Sequence, residues 1–194
     1  MTRVIDPVRS EHTTTVVIGS GLSGLAVASE LSRQGIQSIV VDQLELFGPA
    51  PVSRNHEFSE PGSLIERGEI LRVLRHYASS HSLDIRTRAK ATELSISPAE
   101  TERWTICTSE GVISAENIVL TRCAQSQLRR FLASLGIAIG RDIMTAIRSL
   151  GIYLVGVGDA ILPSTREILM QAKNVSQAIC QNQLNDQSRR SVLA

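Results

Sequence analysis

Segment 13–43, TTTVVIGSGLSGLAVASELSRQGIQSIVVDQ, constrains the fold of this chain more than any other stretch. An apolar run, Val16 to Ile18, leads into Gly19-x-Gly21-x-x-Gly24. A helical pattern of small residues follows, Gly35 ends it, and a second apolar run closes on Asp42. In that order the parts form a strand-helix-strand unit shaped for a dinucleotide. Gly19 allows the tight turn off the strand, Gly21 lets the backbone approach a pyrophosphate, and Gly24 lets the helix lie close to the sheet. The helix starting near Leu22 turns its free N–H groups and positive dipole end toward the phosphates. Gly19, Ser20, Gly21, Leu22, Ser23 and Gly24 are therefore the candidate pyrophosphate-binding residues. Asp42, with Gln43 beside it, stands where an acid accepts hydrogen bonds from a ribose diol and repels a 2′-phosphate. The alternative is an ordinary βαβ unit with a glycine-rich turn and no ligand; it is outweighed because strand, glycines, helix stop and terminal acid arrive in register.

Charge and composition remove several other classes. The chain has 194 residues, 42% hydrophobic and 20% charged, with a net charge of +1. That balance suits a globular domain, and the scattered Lys and Arg make no basic stripe for nucleic acid. No apolar run is long enough to span a membrane. The first residues lack the apolar core of a secretory signal, so a cytoplasmic location is expected. Cys107, Cys123 and Cys180 are odd in number and far apart. They predict neither a disulfide framework nor a metal site, and no redox-active pair.

Periodicity places the remaining elements. The first strand is expected at about 14–18 and the first helix at 22–34, with Leu25, Ala28 and Leu31 on its inner face. A long proline-containing loop follows Asp42. Within it, Arg54 either pairs with a phosphate bidentately or is a solvated surface arginine; His56 is a weaker candidate. Ile70, Val73, Leu74 and Tyr77 predict one face of a helix over 64–80. Strand-like stretches at 84–97, 103–108 and 112–115 predict a small antiparallel meander, and Ile118 to Thr121 a further parallel strand. A helix over 128–135 is stopped by Gly136. The last strand, 152–155, runs into Gly156-Val157-Gly158-Asp159. Ile161 takes the place of a third glycine there, which rules out a second fingerprint and leaves a strand end that delivers Asp159 to a ligand. Ser164-x-x-Glu167 is a capping box that starts a helix near Thr165. The tail from Asn182 is polar and expected to fray.

Taken together, VVIGSGLSGLAVASELSRQG with Asp42, the helix-then-meander order, IVLT at 118–121 and IYLVGVGDA resemble the flavoproteins with a glutathione-reductase-like FAD domain, nearest to flavin-containing monooxygenases. The resemblance implies an α/β fold: a Rossmann-like FAD-binding domain with a mainly parallel sheet and a small antiparallel β-meander. It implies a flexible segment at 1–12, one domain at 13–181 and a polar tail at 182–194. FAD is the implied cofactor, with a backbone contact to adenine at Ala91 and contacts to the ribityl chain and phosphate at Gly158 and Asp159. The helix after Asp159 would aim its N-terminus at the flavin ring.

The chain departs from the family's pattern in three places. Thr121-Arg122-Cys123 stands where the family has Ala-Thr-Gly, which crowds the adenine-side phosphates and offers the charge of Arg122 in exchange. Gly48-Pro49-Ala50 replaces paired glycines. Residues 122–151 are too few for the second, NAD(P)H-binding domain. The expected function is a minimal FAD-binding oxidoreductase, passing hydride through flavin N5 from a small-molecule substrate, or from NAD(P)H docked without its own domain. Reoxidation would fall to oxygen or a redox partner, and the exposed flavin predicts either a homo-oligomer that covers it or poor control of oxygen. Two alternatives stand beside it: a non-catalytic FAD-binding or redox-sensing protein, and a shortened inactive relative of a monooxygenase. No side chain is identified as an acid, base or nucleophile.

Overall fold

The computed structural model describes residues 10–42, 61–97, 103–121, 125–136, 143–156 and 163–192. The elements are β1 (Ser10–Ile18), α1 (Leu22–Arg33), β2 (Ser38–Asp42), α2 (Pro61–Ser80), β3 (Asp84–Ile96), β4 (Trp104–Thr108), β5 (Gly111–Thr121), α3 (Gln125–Ser134), α4 (Ile143–Ser149), β6 (Ile152–Val155) and α5 (Thr165–Val192). The fold is mixed α/β.

Parallel pairings join β1 to β2, β1 to β5, β2 to β3 and β5 to β6, so the parallel layer runs β3-β2-β1-β5-β6. Antiparallel pairings join β4 to both β3 and β5. Two strands serve both layers. The start of β3, Asp84–Arg86, lies beside β2, and its later residues turn into the meander.

The central strands do not alternate because both of their faces are buried. Val16, Ile18, Ile39, Val41, Ile118 and Leu120 pack with the meander residues Trp104, Ile106 and Ile113. Val17, Val40 and Val119 face the other way, against Leu22, Ala26 and Leu31 of α1 and Ile168 and Ala172 of α5. Each such aliphatic side chain contributes roughly 1.5–3 kcal/mol relative to exposure. Trp104 is wholly buried and donates from Nε1 to Leu150 O at 2.8 Å, which ties the meander to the turn before β6.

Several expectations from periodicity change. β1 begins at Ser10 instead of 14, because Ser10–Thr13 pair with Val112–Ala115 of β5. The stretches 112–115 and 118–121 are one strand. Asn117, between them, is 7% exposed and its Nδ2 donates to Thr14 O. Val73 is 64% exposed; the inner face of α2 passes instead through Ile70, Leu71, Leu74 and the buried Ala78. α5 continues past Asn182 to Val192, and Asn182 Nδ2 donates to the hydroxyl of Tyr153 at 2.8 Å. α4 carried no signal that periodicity detected.

Candidate dinucleotide site at the carboxyl end of the sheet

The fingerprint lies where β1 ends. The peptide between Ile18 and Gly19 is held from both sides: Gly19 N–H donates to Val41 O of β2 at 2.9 Å, and Ile18 O accepts from Thr121 Oγ1 of β5 at 2.8 Å. Gly19 has φ +116°, which disfavours any side chain, and a Cβ there would lie 2.0 Å from Thr121 Oγ1. A Cβ on Gly24 would lie 1.8 Å from Gly19 O, so the missing side chain lets α1 rest on the turn. Both glycines are thus required by the packing of the chain itself.

Gly21 differs. It is the N-cap of α1 at φ −82° and ψ −165°, a conformation open to any residue. The first intrahelical bond of α1 is Leu25 N–H to Gly21 O at 3.0 Å, which leaves the N–H groups of Leu22, Ser23 and Gly24 without an intrahelical acceptor. Among the described residues no side chain caps them, and no acid stands in the first turn. Positive potential and free donors therefore converge where an anion would sit.

Ser23 is 2% exposed, and its hydroxyl lies 2.8 Å from where a Cβ on Gly156 would stand. Its side chain packs the helix against the end of β6, and only its backbone is offered to the turn. Gly156, at φ +69°, donates its N–H to Gln171 Oε1 of α5 at 2.8 Å. No sequence signal marked Gln171.

Asp42 ends β2, half-buried, and its Oδ1 accepts from Ser20 Oγ at 3.2 Å. A register shift after Val41 places Lys90 opposite Asp42, with the fully buried Ala91 next in line. Lys90 was not anticipated; the family pattern pointed one residue further on. Gly19 to Gly24, Asp42 and Thr121 thus gather at the carboxyl ends of β1, β2 and β5, with Ala91 alongside. Gln43, Arg54, Arg122, Gly158 and Asp159 lie outside the described residues.

The head of α5 is closed by its own side chains. Glu167 Oε2 accepts from Ser164 N–H at 2.7 Å and from Ser164 Oγ at 3.0 Å, while Ser164 Oγ accepts from Glu167 N–H at 3.2 Å. The backbone bond from Ser164, and then its hydroxyl, hold the Glu167 carboxyl below the usual glutamate range. This carboxylate offsets the dipole of α5 at the end where the family pattern expects it to act on the flavin.

A cavity of about 590 Å³ opens at the opposite, amino end of the sheet, lined by Glu11, His12, Gly35, Ser38, Leu83 and Arg86 among others. There Arg86 of β3, whose backbone lies opposite Val41 of β2, reaches Glu11 of β1 with its side chain. Its Nε and Nη2 donate to Asp84 at 2.9 and 2.6 Å, and Nη2 also to Glu11. These two carboxylates, Asp84 foremost, hold the guanidinium above its already high pKa. Among the described residues no group of three or more His, Cys, Asp or Glu is placed to hold a metal ion, and no helix is long and apolar enough to cross a membrane. Cys107 and Cys180 are free, half-buried thiols.

The fold and this turn define a dinucleotide-binding protein of the Rossmann-like kind. More specifically, the chain belongs to the FAD binding domain family, whose match covers residues 12–122. It is 42% identical, over 57 residues, to the mitochondrial L-2-hydroxyglutarate dehydrogenase of Arabidopsis thaliana. That match covers 29% of this chain and 12% of the dehydrogenase, so the chain spans a small part of that relative's length. Among solved structures, the thioredoxin reductase of T. acidophilum superposes with a TM-score of 0.53 at 10% identity, over 90% of this chain and 99% of that one, which shows a common fold. A flavin-containing monooxygenase from Stenotrophomonas maltophilia aligns over 57% of this chain and 38% of its own, at 20% identity and a TM-score of 0.37.

Proposed function

We propose that this chain binds the ADP half of FAD at the carboxyl end of its sheet and serves as the cofactor-holding part of a flavoprotein oxidoreductase. The observation that carries this reading is the head of α1, which has no side-chain cap and no acid in its first turn. Packing accounts for Gly19 and Gly24, whereas Gly21, extended at φ −82° and ψ −165°, is an N-cap without a side chain to bond the first-turn N–H groups of α1. The residues present fit the group. Leu22, Ser23 and Gly24 N–H would hold the pyrophosphate, and Asp42, oriented by Ser20, would accept from the adenosine ribose.

FAD, when bound, supplies the redox chemistry, and the chain contributes position and charge. We assign no acid, base or nucleophile. Between β5 and β6 the described residues are those of α3 and α4, and we read this connection as too short for a nicotinamide domain. On that reading the reductant is a substrate or NAD(P)H docked on a surface, and a second copy or a partner covers the flavin. The oxidation of a hydroxy acid is not carried over from the dehydrogenase, because so little of that protein is matched.

One observation favours the non-catalytic alternative. Glu167 in the first turn of α5 would offset the helix dipole and so weaken any charge stabilisation that helix could lend a bound flavin. Anaerobic mixing of the FAD-loaded chain with NADH or NADPH is the first discriminating test: bleaching of the flavin bands indicates an enzyme, and stable bands leave a substrate-reduced enzyme or a binding role.

The Gly21→Ser substitution tests the binding reading. Serine is at least as good an N-cap as glycine and would bond the same first-turn N–H groups. The ligand-free protein should melt at the same temperature or slightly higher, while FAD affinity falls by about tenfold or more as the hydroxyl competes with phosphate. Unchanged FAD affinity in this variant would refute the assignment of α1 as the phosphate site.

A further inference from the structure

We propose that Thr121 is a positioning residue for the dinucleotide, acting through the Ile18–Gly19 peptide rather than by touching the ligand; this rests on the FAD reading above. A trans peptide is planar, so its carbonyl and N–H point in opposite directions and fixing both fixes the plane. Here β5 holds the carbonyl, through Thr121 Oγ1 at 2.8 Å, and β2 holds the N–H, through Val41 O at 2.9 Å. The Val41 contact is backbone to backbone and independent of residue type. The Thr121 contact depends on one side chain.

Everything the phosphates would meet lies just beyond that peptide. Gly19 O packs against Gly24, the next residue supplies Ser20 Oγ to Asp42, and Gly21 then caps α1. A rotation of the Ile18–Gly19 plane would pass into all three. Threonine suits the task because its branched Cβ restricts χ1 and delivers the hydroxyl in one place. The same oxygen fills the space that a side chain at position 19 would occupy, so Thr121 and Gly19 are a matched pair. Valine keeps this shape without the donor, alanine loses both, and serine keeps the donor alone.

The test compares dissociation constants for FAD and for ADP, with ligand-free melting, across the full-length wild type, Thr121→Val and Thr121→Ser. Thr121→Val should weaken FAD and ADP in parallel by about tenfold, and Thr121→Ser should stay within about threefold of wild type, because the lost interaction is one hydrogen bond. Measurements are made well below the melting point of every variant, so a change in stability alone does not move them. If Thr121→Val fails to fold, Thr121→Ala takes its place in the same comparison. The proposal is overturned if the variant lacking the hydroxyl binds both ligands as tightly as wild type, or if serine fails to restore affinity. A wild-type chain that binds neither ligand overturns the FAD reading itself and this inference with it.

Discussion

Gly19, Gly21 and Gly24 are equally visible in the sequence and do three different things in the structure. The motif pointed to the candidate site, but it did not reveal that Gly19 makes room for Thr121 or that Gly24 makes room for Gly19 O, because those contacts depend on how the turn folds back on β5 and α1. Thr121 itself was singled out as part of an altered phosphate-side motif; its observed bond is to Ile18 O. Gly24→Ala puts a Cβ against backbone that has no flexible end to yield. It should cost about 1–3 kcal/mol or more in chemical denaturation, as overpacking does, and should weaken FAD binding in the same protein. A variant that melts like wild type and still binds FAD would show that α1 does not rest on the turn as described. Trp104→Phe isolates another residue-level contact. Losing the Nε1 donor strands Leu150 O, and about 1–3 kcal/mol of stability should go with it, read by denaturant titration.

At the level of elements, the strands and helices with strong apolar periodicity were legible, and two of the errors fall where polar residues are put to structural use. Glu116 and Asn117 look like the end of a strand. Asn117 instead pairs with Thr15 and donates its side-chain N–H to Thr14 O, which carries β5 through from the meander into the parallel layer. The polar tail of α5 gave no apolar stripe to follow, yet Asn182 is tied to Tyr153 and the helix runs on. The capping box at Ser164 and Glu167 was readable because it is local. It also makes a pH prediction. The folded-state pKa of Glu167 lies below its unfolded value, so its contribution is present above the usual glutamate range and is lost as pH falls through the folded value. Thermal melts between neutral and acidic pH should show a component of acid destabilisation that Glu167→Gln lacks. Superimposable pH profiles for the two proteins would remove the cap from the account.

The whole molecule joins its layers in a ring of pairings, β1-β2-β3-β4-β5 and back to β1, because β3 and β5 each belong to two layers. The α/β class followed from the order of motifs, but the ring did not, since a strand shared between layers leaves no mark in its periodicity. The ring also separates two ends with different tasks. At the amino end the Arg86 side chain joins Asp84 to Glu11; at the carboxyl end lies the glycine turn proposed to hold phosphate. Glu11 and Gly19 stand eight residues apart on an extended strand, roughly 25 Å. Arg86→Met should therefore cost about 1 kcal/mol of stability, the groups being partly exposed, and leave the FAD dissociation constant unchanged. A large loss of FAD affinity in that variant would mean that the two ends are coupled.

The central claim is that this chain is built to hold FAD, and titrating the purified chain with FAD tests it most directly. Flavin fluorescence and visible absorbance should report saturable binding of one FAD per chain, with ADP competing and riboflavin not. Absence of saturable binding, or binding that ADP leaves untouched, would contradict the account.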